Sequence, residues 1–208
     1  MLGQARHRFE PAKQYLGQRL GRLGISPWLI TLSGLALAFI ASWAYLKVGP
    51  LAAALIGAAA SLTDFVDGAV ARYQQRQSAW GNYLEAIVDR LVELILLLTL
   101  APDLGPVVAW AIAASMFISY CKPRVALVVP ADNHDWPGCG DHADRMVILL
   151  VSMALCQTSF SLGKIGIALL TAISLLGSAQ RLHYAYRLIA AHEASLRSTS
   201  AQTPPSPK

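Results

Sequence analysis

Four carboxylates, Asp64, Asp67, Glu85 and Asp89, fall in or beside long apolar stretches of the chain. Asp64 and Asp67 stand three residues apart, and Glu85 and Asp89 stand four apart, so on helices each pair shares one face. A short polar connection, residues 72–80, separates the two pairs and can fold one helix back on the other. Like charges gathered at the edge of an apolar medium repel strongly unless a cation is shared among them. Mg²⁺ and Mn²⁺ suit that role, because both prefer carboxylate oxygens and commonly hold substrate phosphates as well. Small residues, Gly68, Ala69, Ala71 and Gly81, flank the acids. They permit either close helix packing or the approach of a flat nucleotide to the backbone. Arg72 lies one turn beyond Gly68, where a guanidinium could meet a phosphate through charge-assisted hydrogen bonds.

The elements that must carry these groups are membrane helices. Hydrophobic residues make up 55% of the 208-residue chain and charged ones 14%, against about 25% charged in ordinary soluble domains. Residues 29–46, 48–63, 104–121, 146–163 and 165–180 contain no charge, and 91–102 contains only Glu93. A helix needs about 20 residues to cross the hydrocarbon core. These runs therefore predict an all-α, polytopic bundle of six transmembrane helices. Its short turns, such as Gly49-Pro50 and Asp103 to Pro106, make consecutive spans antiparallel neighbours.

The formal charge of +5 does not point to nucleic acid. With the N-terminus cytoplasmic, all of the 17 lysines and arginines except Lys47 and Lys164 lie on or near the cytoplasmic side. The same placement puts the C-terminus and the four acids on that side, as in a prokaryotic cytoplasmic membrane. Residues 1–25 combine Arg6, Arg8, Lys13, Arg19 and Arg22 with apolar residues at helical spacing, which predicts an amphipathic juxtamembrane helix. Six spans are expected over residues 26–192, and residues 193–208 form a polar, proline-containing tail expected to be disordered. No cleavable signal peptide is expected, because the first 28 residues lack a short apolar core. Cys121, Cys139 and Cys156 show no paired spacing, and Cys139 with His134 or His142 follows no recognised zinc-ligand spacing.

Residues 64–89 read DFVDGAVARYQQRQSAWGNYLEAIVD. This resembles the signature of the CDP-alcohol phosphatidyltransferase family, D-x2-D-G-x2-A-R-x8-G-x3-D-x3-D. Asp64, Asp67, Gly68, Ala71, Arg72, Gly81 and Asp89 fall in register, and Glu85 stands where the family has Asp. The resemblance implies a metal-dependent transferase of phospholipid biosynthesis, moving a phosphatidyl-type group from a CDP-linked lipid to a small alcohol and releasing CMP. It implies that Asp64, Asp67, Glu85 and Asp89 hold Mg²⁺ or Mn²⁺ and that Asp89 is the catalytic base. It also implies that Asp64, Gly68, Ala71, Arg72 and Gly81 bind CDP, and that the protein is a homodimer.

Two further segments bear on the acceptor. Ser119 to Arg124 and Asp141 to Arg145 resemble the S-Y-x-K-A-R and E-R-x-E-R segments of members that use phosphorylated polyols, such as inositol phosphate or glycerol phosphate. Pro123 and His142 replace the family's Ala and Arg, and an insertion spans residues 130–140. The resemblance thus implies Lys122, Arg124 and Arg145 as ligands of an acceptor phosphate; positive-inside anchoring explains the same cations equally simply. A serine or aminoalcohol acceptor is the alternative within the family. A small transporter is the alternative from another class, although its acids would sit nearer mid-membrane.

Overall fold

The computed structural model describes residues 6–130, 136 and 138–202. Among these residues there are eight helices and no strand: α1 (Arg6–Arg22), α2 (Pro27–Lys47), α3 (Pro50–Tyr73), α4 (Ala79–Thr99), α5 (Ala101–Leu104), α6 (Pro106–Ala126), α7 (His142–Leu155) and α8 (Phe160–Gln202). Prolines open α2, α3 and α6, where their fixed φ suits the first helical turn and no N–H is missed. Gly105, at φ 70°, separates α5 from α6 in a backbone region that other residues avoid.

Three helices are long and apolar enough to cross a membrane unaided: α2, α3 and the Phe160–Arg197 part of α8. The other helices of the expected six-span set fall short for visible reasons. Helix α4 carries Glu85, Asp89, Arg90 and Glu93, and α7 has only 14 residues. At 1.5 Å per residue, α7 measures about 21 Å against a hydrocarbon core of about 30 Å.

The bundle core is built from small residues on one side and larger ones on the other. Helices α2 and α3 meet through Ala38, Ala41, Ala53 and Ala60, all nearly inaccessible. Such a seam lets two backbones approach closely, so packing and weak contacts replace the missing hydrophobic drive in lipid. Leu96, Leu97, Leu149, Met153 and Leu170 fill the wider space among α4, α7 and α8.

Helix α1 docks on the C-terminal half of α3. Its contact face is Gly17 and Gly21, one turn apart and buried, lying against Ala69 and Tyr73. A Cβ at Gly17 would come within 2.8 Å of the Ala69 Cβ, so glycine is required for this approach. Leu16 and Leu23 point away from the protein, at 41% and 72% exposure. The connection to α2 is held by Gln74, whose Nε2 donates to the carbonyls of Gly21 and Ile25 at 3.2 and 2.9 Å.

One departure from the sequence expectation concerns the C-terminal segment. Helix α8 continues to Gln202, so residues 193–202, expected to be irregular, are helical; residues 203–208 lie outside the described residues. No proline occurs in α8 before Pro204, and nothing in Glu193 to Gln202 blocks helical hydrogen bonding. The insertion between α6 and α7 is also partly packed. Trp136 meets Tyr184 edge-on at 5.2 Å and joins Val125, Val129 and Ala185 in a small cluster. The Cys139 backbone N–H donates to Gln180 Oε1 at 2.9 Å, pinning the end of the insertion to α8.

Candidate active site

The site forms where α3 and α4 leave the bundle on the side of α1. Helix α3 ends at Tyr73, and Gln75 takes a left-handed φ of 54° to turn the chain. Ser78 then caps α4, its Oγ accepting from the Gly81 N–H at 3.0 Å. This cap satisfies one of the otherwise orphaned donors at the helix start. A Cβ on Gly81 would stand 3.2 Å from the same Oγ, so the glycine keeps this turn uncrowded.

The turn brings the two acid pairs together. One carboxylate oxygen from each of Asp64, Asp67 and Glu85 lies within 4.8 Å of the others. Glu85 therefore reaches the cluster despite its extra methylene. Asp89 touches the Asp64 carboxylate and lines two adjoining cavities, one shared with Asp64 and Asp67 and one shared with Glu85. An all-carboxylate donor set of this kind fits a hard divalent cation such as Mg²⁺ or Mn²⁺. Among the described residues no other His, Cys, Asp or Glu cluster has this character. Cys139 offers no zinc site with His142, because its thiol faces the Ile173 carbonyl while His142 is engaged elsewhere; His134 lies outside the described residues.

Asp67 is the most constrained of the acids, at 2% exposure. Its Oδ2 accepts from Thr31 Oγ1 on α2 at 2.5 Å, and its Oδ1 accepts from the Gly68 N–H at 2.6 Å. The Pro27 carbonyl lies 3.2 Å from the same Oγ1, but the hydroxyl has a single proton and the shorter contact, to Asp67, takes it. Asp89 accepts from its neighbour Arg90 at 3.3 Å, a partly exposed contact that adds little stability. Arg72 is exposed on the surface over Gly68, with Nη1 3.7 Å from where a Cβ of that glycine would stand. Ala71 is half-buried on the same helix.

The three cations expected to bind an acceptor phosphate do not form one open cluster. Lys122 is half-buried and Arg124 exposed, both near the end of α6. Arg145, by contrast, is 1% exposed and points into the bundle. Its Nε donates to Glu93 Oε1 at 2.7 Å and its Nη2 to Glu93 Oε2 at 2.8 Å, a two-pronged pair. Nη1 donates to the Gly140 carbonyl at 2.7 Å, and Nη2 also reaches Ser119 Oγ at 3.1 Å. Every nitrogen of this guanidinium thus has a protein acceptor within hydrogen-bond distance.

Several of these partners escape a reading of the sequence. Glu93 is fully buried one turn beyond Asp89 and also meets His142 Nδ1 at 3.1 Å. Its signal was present, since a carboxylate inside an apolar run requires a partner. Arg181 of α8 behaves similarly, donating to the Ile118 carbonyl at 2.8 Å and to Asp141 at 2.7 Å. Thr31 carries no such signal, because threonine is unremarkable in a membrane helix.

Comparison with known proteins gives this arrangement a context. The family profile described as CDP-alcohol phosphatidyltransferase matches residues 25–176. An archaetidylinositol phosphate synthase of Pyrococcus horikoshii is 27% identical over 190 residues, covering 89% of this chain and 96% of that protein. A phosphatidylinositol phosphate synthase of Mycolicibacterium smegmatis is 29% identical over 150 residues, covering 67% of this chain and 66% of its own. The fold is that of the Mycobacterium tuberculosis phosphatidylinositol phosphate synthase with CDP-DAG bound, at a TM-score of 0.72 and 23% identity, covering 84% of this chain and 93% of that one. That enzyme has also been solved in complex with manganese and citrate.

Proposed function

Because the chain belongs to the CDP-alcohol phosphatidyltransferase family, we propose that this membrane transferase joins an inositol phosphate to a CDP-linked lipid and releases CMP. The observation that carries the reading is the convergence of Asp64, Asp67 and Glu85 on one point with Asp89 beside them. The choice of acceptor is supported by the relatives, two of which are named as inositol phosphate lipid synthases with archaetidyl and phosphatidyl tails.

Asp64, Asp67, Glu85 and Asp89 would hold Mg²⁺ or Mn²⁺, which offsets the charge of the CDP pyrophosphate when bound. The protein supplies position and proton handling. Gly68, Ala71 and Gly81 leave room for the nucleotide, and Arg72 reaches its phosphates from the rim. Asp89 accepts the proton of the acceptor hydroxyl as that oxygen bonds to the lipid-linked phosphorus. The bond from this phosphorus to the bridging oxygen breaks, and CMP leaves with that oxygen. Thr31 and the Gly68 N–H keep Asp67 in one orientation throughout. Lys122 and Arg124 attract the acceptor's phosphate from the cytoplasmic side. Such reactions gain chiefly from alignment and charge neutralisation.

In the membrane, α2, α3, α4, α6, α7 and α8 form six spans over residues 26–192, with both termini and the acids cytoplasmic. The distribution of Lys and Arg supports this orientation. Helix α1 lies at the interface, its exposed Leu16 and Leu23 toward lipid and its glycines toward α3. Two copies associate as a homodimer, as the family resemblance implies.

The test is direct. Purified protein with Mn²⁺ and CDP-diacylglycerol or CDP-archaeol is offered inositol 1-phosphate, glycerol 3-phosphate and serine in turn, and CMP is measured. Inositol 1-phosphate should give the highest kcat/KM, and Asp89→Asn should reduce turnover at least about a thousandfold, as for loss of an essential base. Absence of CMP release with every acceptor would overturn the assignment.

A further inference from the structure

The buried Glu93 has more than one partner, and the second one matters for the site. Arg145 takes both of its carboxylate oxygens, and His142 Nδ1 shares Oε2 at 3.1 Å. An ion-paired carboxylate can only accept hydrogen bonds, so Nδ1 is the ring nitrogen that carries the proton toward it. In the neutral ring Nε2 is then an acceptor, aimed away from Glu93. The charge of Glu93 is already matched by Arg145, so the pair does not require a cationic imidazole.

His142 is also the first residue of α7, and its side chain is 20% exposed. It lines the cavity that contains Thr31, Asp64, Asp67 and Asp89, on the wall contributed by α7. Arg145, three residues on, is locked by Glu93, Ser119 and Gly140, so the first turn of α7 cannot rotate independently of α4 and α6. The arrangement fixes both the place of the imidazole and the nitrogen it presents. This chain has histidine where the segment it resembles has arginine, so the residue on this wall of the cavity is a compact imidazole in place of a long cation.

We propose that Glu93 is a positioning residue that aims His142 Nε2 into the carboxylate cavity, where it accepts a hydrogen bond from a hydroxyl of the acceptor alcohol. The proposal rests on the transferase reading given under Proposed function and adds to it a residue that selects for a polyol. A ring hydroxyl of an inositol phosphate supplies the donor.

The test separates acceptor binding from everything else. In His142→Ala the KM for inositol 1-phosphate should rise about tenfold, the loss of one well-placed hydrogen bond. The KM for the CDP-lipid and the Mn²⁺ concentration giving half activity should stay within about twofold. His142→Gln places a carboxamide near the position of Nε2 and should recover most of the loss. Glu93→Gln should raise the same KM, and titration calorimetry of inositol 1-phosphate into the Mn²⁺-loaded His142→Ala protein should show the same loss of affinity without turnover. An unchanged acceptor KM in His142→Ala, or an equal rise in both substrate KM values, would overturn the proposal while leaving the transferase reading intact if the wild type releases CMP. A wild-type protein that releases no CMP would overturn both.

Discussion

Removing one member of the Glu93–Arg145 pair is the perturbation with the largest expected effect on stability. Both side chains are essentially inaccessible, at 0% and 1% exposure, and they meet through two bonds of 2.7 and 2.8 Å. Truncating either partner strands a charge in a low-dielectric interior, which costs about 3–5 kcal/mol. Glu93→Leu strands the guanidinium, whereas Arg145→Met strands a carboxylate that keeps only His142. The double variant Glu93→Leu/Arg145→Met strands neither. It still deprives the Gly140 carbonyl of its Nη1 donor, an unsatisfied acceptor worth about 1–3 kcal/mol. The two single losses therefore sum to roughly 6–10 kcal/mol, while the double should lose only about 1–3 kcal/mol. Reversible unfolding in mixed detergent micelles, followed by far-ultraviolet circular dichroism, measures all four corners of this cycle. Additive losses would refute the reasoning, since they would mean that the two charges stabilise the bundle independently rather than by cancelling each other.

Three further outcomes follow from the geometry. Thr31→Val removes the donor to Asp67 Oδ2 at nearly constant volume, so the metal concentration for half-maximal activity should rise about three- to tenfold with little change in thermal midpoint. Glu85→Asp restores the family's acid yet shortens a side chain that already reaches Asp64 and Asp67, so metal dependence should weaken rather than improve, read by Mn²⁺ titration of CMP release. Gly21→Leu forces a branched side chain into Tyr73 and should lift α1 from α3, seen as faster proteolysis within residues 6–22 and a loss of about 1–3 kcal/mol.

The acid cluster was legible because its determinants are local. Helical periodicity alone assigns Asp64 with Asp67 and Glu85 with Asp89 to shared faces, and the connection between them is too short to carry the pairs apart. Glu93 was visible only as an anomaly in an apolar run, because its partners lie 49 and 52 residues away and no local pattern links them. For the same reason Arg145 read as a ligand of an acceptor phosphate: its type and place in a motif are local facts, and its burial against Glu93 is not. The long α8 was missed from the opposite direction. The polar, proline-containing end of the chain suggested a disordered tail, yet with no proline before Pro204 the helix has no reason to stop where the apolar pattern does. Glu85, which departs from the family spelling, reaches the cluster because a longer side chain tolerates small shifts in backbone position.

The Glu93–Arg145 pair also bears on how the chain is made. Glu93 is synthesised 52 residues before Arg145. At about 5–20 residues per second the delay is roughly 3–10 seconds. For that interval the apolar run of α4 carries a carboxylate that has no Arg145 to meet, which is costly wherever that run leaves water. Helix α7 arrives with the missing charge in its first turn, but its 14 residues are too short to insert on their own account. On the six-span reading proposed above, each helix thus supplies what the other lacks, and the pair can close only once α7 has been made. A chain interrupted after α6 would lack Arg145 and His142, so Glu93 would stay unmatched in its apolar run and the first turn that lines the acid cavity would be missing.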